Sequence, residues 1–350
     1  MIAGDDIVRT RAEAGAREPL LVVDPLLAFL DAHGLGEGEP AIEAIGDGHS
    51  NVTFAVTRGD TRLVVRRPPR GPLPPSAHDV LREARILRAL AGRVPVPEVL
   101  AVCDDPEVIG APFYVMPRLD GVVMSGAPAP ALAGHERATA EAMIDTLADL
   151  HAVDWRGAGL EGFGRPDGYL ERQLARFGGL WERNRTRDLP AMDRVGAWLA
   201  AHRPESPPAT IVHGDYRLGN LMLGPAPPPH VVALLDWEMS TLGDPLADLG
   251  YLCTFWIDRD DPPAGVFEQH AFTRGPGWPR RDELLARYEA RSGRALGDIA
   301  WYRVLALWKI IVFMEGNYRR ALAGSVDDPY LTTFGEAIAG LAGRAEALTR

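Results

Sequence analysis

Cysteine is scarce in this chain: 350 residues carry only Cys103 and Cys253. Their spacing is not that of metal ligands, and two thiols so far apart more often sit buried and reduced. No apolar run approaches the roughly 18 residues of a membrane span. The start, Met1-Ile2-Ala3-Gly4-Asp5-Asp6, is polar and acidic, unlike a signal peptide. Basic residues are outnumbered, 37 against 48, for a net charge of −11, which argues against a nucleic-acid partner. No Gly-x-Ser-x-Gly elbow occurs, so the commonest α/β-hydrolase signature is missing. Neither Asp-Phe-Gly nor Ala-Pro-Glu occurs either, which argues against a protein kinase. These absences point to a cytoplasmic enzyme with small-molecule partners and neither a membrane nor a nucleic-acid role. With 46% hydrophobic and 24% charged residues, a chain of this length can bury a large core and form two lobes.

What is present centres on one stretch. Ile211-Val212-His213-Gly214-Asp215-Tyr216-Arg217-Leu218-Gly219-Asn220-Leu221-Met222-Leu223 sets a polar turn between two apolar runs. A further apolar run, Val231 to Leu235, ends in Asp236-Trp237-Glu238. A strand ending at Asp215, followed by a hairpin, returns Asp236 to the neighbourhood of Asn220. Two carboxylates and an amide oxygen suit Mg²⁺, which is usually held by one or two carboxylates plus substrate phosphates. The order Asp-x-x-x-x-Asn, then Asp, is that of phosphoryl transfer: a base and then two metal ligands. The reading is therefore Asp215 as catalytic base, Asn220 and Asp236 as metal ligands, and ATP with Mg²⁺ as cofactors.

At these residues the chain resembles the aminoglycoside phosphotransferase and choline kinase group. It resembles in particular the kinase-like domain of acyl-CoA dehydrogenase family members ten and eleven. His213 to Asn220, Leu235 to Glu238, Gly243-Asp244-Pro245-Leu246-Ala247-Asp248-Leu249 and the early Gly46-Asp47-Gly48-His49-Ser50-Asn51 carry the resemblance. It extends from about Leu26 to about Leu322. It implies an α+β, two-lobed protein-kinase-like fold with a small β-rich N-lobe and a larger, mostly helical C-lobe. The expected division is a mobile tail at 1–23, an N-lobe at 24–117 and a C-lobe at 118–350. The resemblance also implies that Asp248 braces the His213-Gly214-Asp215 loop, and that the stretch from Met116 to Gly121 links the lobes and offers backbone groups to adenine.

Earlier in the chain, Asp24-Pro25 predicts an N-cap and first turn for a helix over 26–33. Ala41 to Ile45 reads as a strand, and Val52–Thr57 with Thr61–Arg66 as a hairpin about Arg58-Gly59-Asp60. Gly48, Ser50 and Asn51 then lie in a turn suited to cover a nucleotide, since glycine lets backbone NH groups approach phosphate. An ordinary β-turn is the plainer reading of two glycines alone. Ser76 is placed to cap a helix over 77–91. In the kinase template a Lys on the third strand contacts the phosphates and is oriented by a Glu on the next helix. Here Val64-Val65-Arg66-Arg67 has no Lys, so Arg66 with Glu83 takes that place, and Arg67 is the alternative if the register differs by one. Helices are expected over 136–151, 169–185, 191–202, 246–255, 282–291, 301–322 and 330–348. His151 has a family counterpart but also reads as a packed histidine, and Glu238 reads as a salt-bridge partner or a second metal contact.

The expected reaction is transfer of the ATP γ-phosphoryl group to the hydroxyl of a small molecule. The resemblance points to a hydroxyacyl acceptor; an aminoglycoside-type O-phosphotransferase and a nucleotide-binding pseudokinase scaffold are the alternatives. An anionic acceptor would use Arg172, Arg176, Arg183, Arg185 and Arg187; a cationic one would use Asp258, Asp260 and Asp261.

Overall fold

The computed structural model describes residues 6–13, 15, 17–45, 51–71, 78–263, 265–324 and 329–350. Gly48, Ser50 and Ser76 therefore lie outside the described residues. The chain divides into two compact units, Met1–Asp120 and Gly121–Arg350. The division falls three residues beyond the expected 117, and charge pairs explain the difference. Arg62 holds Asp120 through two bonds of 3.0 and 2.8 Å, and Arg118 reaches Glu43 at 2.7 Å. Residues 118–120 are thereby fastened to the first unit's sheet.

The first unit comprises β1 (Ile7–Val8), β2 (Leu21–Val22), α1 (Val23–Ala32), β3 (Ala41–Ile45), β4 (Val52–Arg58), β5 (Thr61–Arg67), α2 (Val80–Leu90), β6 (Ala101–Cys103) and β7 (Phe113–Pro117). Its five-stranded antiparallel sheet runs β3-β4-β5-β7-β6. β4 and β5 are rich in β-branched residues and pair from Val52↔Arg67 to Arg58↔Thr61. Only Gly59 and Asp60 remain for the turn, and Gly59 takes the positive φ that a two-residue hairpin needs. Alternation then gives the sheet two distinct faces. Phe54, Val56, Leu63 and Val65 enter one core with Leu21, Leu26 and Leu30.

Two expectations are corrected here. The region expected as a tail is, from Asp6 onward, tied into the unit: β1 pairs with β2, Leu20 NH donates to Asp6 C=O at 2.7 Å, and Arg70 meets Asp6 at 2.6 Å. Two-residue strands and single long-range arginine contacts leave no periodic signature, so the sequence shows nothing there. Asp24 does not cap α1. The helix starts at Val23 without a side-chain cap, and the Asp24 carboxylate instead pairs with Arg9 at 2.8 Å. For α2 the cap is Asp79, whose carboxylate accepts from Arg82 NH at 2.9 Å.

The second unit contains β8 (Val122–Val123), α3 (Glu136–Ala152), α4 (Tyr169–Asn184), α5 (Pro190–Ala201), β9 (Thr210–Val212), β10 (Leu221–Leu223), β11 (Val231–Leu234), β12 (Thr241–Gly243), α6 (Leu246–Phe255), α7 (Arg281–Ser292), α8 (Ile299–Leu322), α9 (Pro329–Thr332) and α10 (Phe334–Ala347). The last two replace the single helix expected over 330–348. Short strands pair as β11-β10-β8 and β12-β9. α8 is the hub of the unit and packs against α4, α5, α6 and α10. Trp301, Leu305, Trp308, Val312 and Glu315 of its stripe are buried, as core spacing predicts. Buried Glu315 accepts from the NH and hydroxyl of Thr186 at 2.6 and 2.7 Å. Among the described residues, no helix is long and apolar enough to cross a membrane.

Arg67 closes the first unit's core. Its guanidinium is buried and donates to the carbonyls of Leu20, Ile109 and Pro68 at 2.5, 3.1 and 3.0 Å. Replacing it with Met leaves buried carbonyls without donors, so Arg67→Met is expected to cost on the order of 3 kcal/mol. Urea unfolding followed by circular dichroism measures this. A loss below about 1 kcal/mol would mean that water replaces the guanidinium.

Candidate active site

β9 delivers the chain into His213-Gly214-Asp215, and the loop's shape is imposed from below. Asp248, in the first turn of α6, is fully buried. It accepts from His213 NH at 2.7 Å, from Gly214 NH at 2.8 Å and from His151 Nε2 at 3.2 Å. Tyr288 hydroxyl lies 2.7 Å from His151 Nδ1; donating there, it leaves the proton on Nε2 for Asp248. Burial alone would raise the Asp248 carboxyl; the His151 hydrogen bond and the electrostatic pull of the two imidazoles, with the Gly214 amide, leave it below its ordinary value. The bracing that the resemblance implied is thus present, and His151 is both packed and part of it. Gly214 is required: φ is +87°, and a Cβ would lie 2.7 Å from the Met239 carbonyl.

His213 carries the frame onward. Burial holds it below its ordinary pKa despite the nearby Asp248 and Asp215, so the ring is neutral at pH 7. Its Nε2 contacts Leu235 C=O at 2.9 Å and its Nδ1 accepts from Asp215 NH at 3.2 Å. Leu235 NH donates in turn to Asn220 C=O at 2.9 Å. One ring and one backbone bond therefore fix Asp215, Asn220 and the residue before Asp236 together. Asp236 itself sits in the left-handed region, with φ at 63°, before the single turn Trp237–Met239 that includes Glu238. A non-glycine residue in that conformation is uncommon and is enriched at functional sites.

The Asp215 carboxylate is held on several sides. Asn220 Nδ2 donates to its Oδ2 at 2.6 Å and to its backbone carbonyl at 2.8 Å; Arg217 Nε lies 3.3 Å from Oδ1. Tyr251 lies near Asp215, and burial together with that carboxylate keeps the phenol well above its ordinary pKa. Sequence reasoning missed Tyr251 and Arg217. Tyr251 stands three positions after Asp248 on the same helix, a spacing that marks a shared face but cannot separate a phenol aimed at a carboxylate from one in the core.

In the first unit, β5 and α2 bring their candidates together. Arg66 Nε donates to Glu83 at 2.9 Å, and Asn51 Nδ2 reaches the same carboxylate oxygen at 3.2 Å. Glu83 is buried, and the Asn51 amide oxygen is buried without a partner among the described residues. Arg67 points to the opposite face of β5. Met116 lies on β7 opposite Val64, half-buried. The charge clusters separate as well. Asp258 and Asp261 both pair with Arg281, at 3.1 and 2.5 Å, and Asp260 with Arg280 at 2.6 Å. Arg185 pairs with Glu182 at 3.1 Å and Arg187 with Glu315 at 3.6 Å.

The Asp248 network makes a pH-resolved prediction. Its folded pKa is depressed, so its stabilisation is complete above the unfolded value of about 3.9 and is lost as pH falls through the folded one. Asp248→Asn is expected to cost about 2–4 kcal/mol at pH 7. It should also flatten the loss of stability below about pH 4. Urea unfolding across an acid pH series tests both; an unchanged acid limb would remove Asp248 from the network.

Comparison with known proteins gives the chain's family. The model of the phosphotransferase enzyme family (APH) matches residues 41–284. Acyl-CoA dehydrogenase family member 10 of Mus musculus is 35% identical over 303 residues, 85% of this chain and 28% of that protein. Family member 11 of Gallus gallus is 34% identical over 296 residues, 82% of this chain and 38% of that protein. The chain thus spans well under half the length of these curated relatives. A Ralstonia eutropha protein, provisionally described as an aminoglycoside phosphotransferase, is 31% identical with a TM-score of 0.78, over 94% of this chain and 98% of that one. An aminoglycoside phosphotransferase solved with AMP-PNP and hygromycin B shares the fold at 15% identity and a TM-score of 0.61, over 93% of this chain and 98% of that one. With the family model covering most of the chain and a full-length relative above 30% identity, the chain belongs to the phosphotransferase enzyme family and has its protein-kinase-like α+β fold.

Proposed function

We propose that this enzyme transfers the γ-phosphoryl group of ATP, with Mg²⁺, to a hydroxyl of a small molecule. The observation that carries the proposal is the fixed grouping of Asp215, Asn220 and the Asp236 turn around His213. Asp215 orients the acceptor hydroxyl and takes its proton. Asn220 and Arg217 hold the carboxylate in place, so positioning precedes the chemistry. The donor set fits Mg²⁺. Asn220 spends its amide nitrogen on Asp215, which leaves the amide oxygen as the ligand atom, and Asp236 adds a hard carboxylate. Among the described residues no group of three or more His, Cys, Asp or Glu makes a metal cage, so phosphate and water oxygens would complete the shell. When bound, Mg²⁺ neutralises charge on the phosphates. Arg66, oriented by Glu83, takes the phosphate-contacting place that a Lys fills in protein kinases, and the fork of a guanidinium can hold carboxylate and phosphate at once. Asn51, with its unpartnered oxygen beside Glu83, and the backbone near Met116 belong to the same nucleotide seat; Gly48 and Ser50, expected there from the sequence, lie outside the described residues.

Two acceptor classes have support. The description of the Ralstonia protein, a full-length relative, supports an aminoglycoside-type acceptor. The hydroxyacyl reading rests on curated relatives of which the chain covers less than half, and is the weaker of the two on comparison alone.

Asp215→Ala is expected to lower kcat by about 10²–10⁴-fold with nucleotide affinity intact, because the base acts on the acceptor. Near-normal turnover would remove Asp215 from the chemistry, and an inactive wild type that still binds nucleotide would favour a pseudokinase. Asp236→Ala should weaken nucleotide binding by calorimetry only when Mg²⁺ is present.

Arg66→Ala is expected to raise KM for ATP and lower kcat, whereas Arg66→Lys keeps part of the activity, since a point charge still meets phosphate. Steady-state kinetics decide this; equal losses in both variants would assign Arg66 to structure alone.

A further inference from the structure

Lys309 is the sole lysine among the chain's 37 basic residues. It lies on α8, half-buried, with its amine 4.9 Å from the centre of the Phe177 ring and no ion pair among the described residues. It lines a crevice of about 10 Å³ with Tyr169, Gly214, Asp248 and Tyr251. Tyr251 is the residue whose phenol feels the Asp215 charge. Tyr169 also lines a wider cavity of about 400 Å³, together with Arg165, Arg172, Arg176 and Thr241. Thr241 pairs across the strands with Val212, the residue before His213, so this cavity also abuts the catalytic loop.

The four cations around these spaces are unlike the chain's other clusters. Arg165, Arg172 and Arg176 form no ion pair among the described residues. Arg172 donates to the backbone carbonyls of Asp167 and Arg165, and Arg176 lies over the Phe177 ring at 5.8 Å. Such contacts fix a guanidinium without cancelling its charge. Solvated surface arginines and a snorkelling lysine would explain each residue singly. They do not explain why the only lysine is kept half-buried with no carboxylate bonded to it, beside the loop that bears Asp215. Burial lowers its pKa to about 8, although Asp248 pulls the other way and Arg176 adds to the lowering, so the site carries an unmet demand for negative charge.

We infer that Arg165, Arg172, Arg176 and Lys309 form the seat for an anionic group of the acceptor, a carboxylate or a phosphate ester on the hydroxyl compound that is phosphorylated. The inference rests on the phosphotransferase reading above and sets the charge of its substrate. It favours an anionic acceptor over a cationic aminoglycoside, whose expected carboxylates, Asp258, Asp260 and Asp261, are already paired with arginines.

A single lysine allows a test that needs no turnover. Trinitrobenzenesulfonate at pH 8 labels Lys309, with peptide mapping to separate it from the amino terminus. Glycerate, glycerol 3-phosphate and neutral glycerol serve as probes in the absence of ATP. At least one anion is expected to slow labelling by about tenfold, the scale of one charge-assisted bond, while glycerol does not. Protection by glycerate or by glycerol 3-phosphate tells carboxylate from phosphate. Arg176→Gln should abolish protection, and calorimetry with the same probes gives the answer if the amine resists the reagent. Neither anion protecting or binding would overturn the inference, as would equal protection in Arg176→Gln. Turnover of kanamycin without anion protection would also overturn it while leaving the phosphotransferase reading intact. Conversely, anion protection in a protein that never consumes ATP would keep the seat and reject the reaction.

Discussion

A buried carboxylate with no cation in direct salt contact except a histidine is costly unless hydrogen bonds replace its lost water. Asp248 solves this by accepting the two backbone NH groups of the His213-Gly214 turn. The dependence runs both ways. The turn has donors that no strand partner can use, and the carboxylate has lone pairs that no solvent can fill. Removing either leaves the other buried and unpaired, so the loop has one conformation rather than several. The rest of the site is built on that choice, because the next residue is Asp215.

From this anchor, order passes through two histidines used as rigid spacers. His151 ties Asp248 to Tyr288, and His213 ties the Asp215 backbone to Leu235. A charged imidazole would need two acceptors and would break the second link, since Nδ1 of His213 must accept. Burial keeps His213 neutral, so desolvation here preserves the Nδ1 lone pair that accepts from Asp215 NH rather than merely costing energy.

The candidate site of the second unit is legible in the sequence because phosphoryl transfer would require particular residue types in order. Asp215, Asn220 and Asp236 have no common structural duplicate at that spacing, and the helices around them show clear amphipathic periods. The N-terminal segment was illegible for the opposite reason. β1 and β2 are held by backbone pairing, by Arg67 and by Arg70, none of which repeats with period two or three and a half. The choice between Arg66 and Arg67 was also closed to sequence, because adjacent arginines on a strand differ only in face. The structure separates them: Arg66 meets Glu83, and Arg67 spends its donors on backbone carbonyls in the core. Tyr251 stayed hidden because a phenol on a mostly apolar helix looks like packing.

Charge clusters show the same limit. Asp258, Asp260 and Asp261 read as an acidic patch in the sequence, yet Arg281 is buried between two of them and also donates to the carbonyls of Cys253 and Trp256. Their charge is spent in holding the segment after α6 to the start of α7. The arginines near α4 divide differently: Arg185 and Arg187 meet carboxylates, while Arg165, Arg172 and Arg176 meet carbonyls or a ring face, or face the cavity. A guanidinium bonded to a carboxylate presents little net field, whereas one bonded to a neutral carbonyl keeps its full charge. A chain with a net charge of −11 can therefore still gather cations without carboxylate partners near the loop that bears Asp215. Bulk charge governs solubility and long-range encounter, but the field a substrate meets is set by which cations lack a carboxylate.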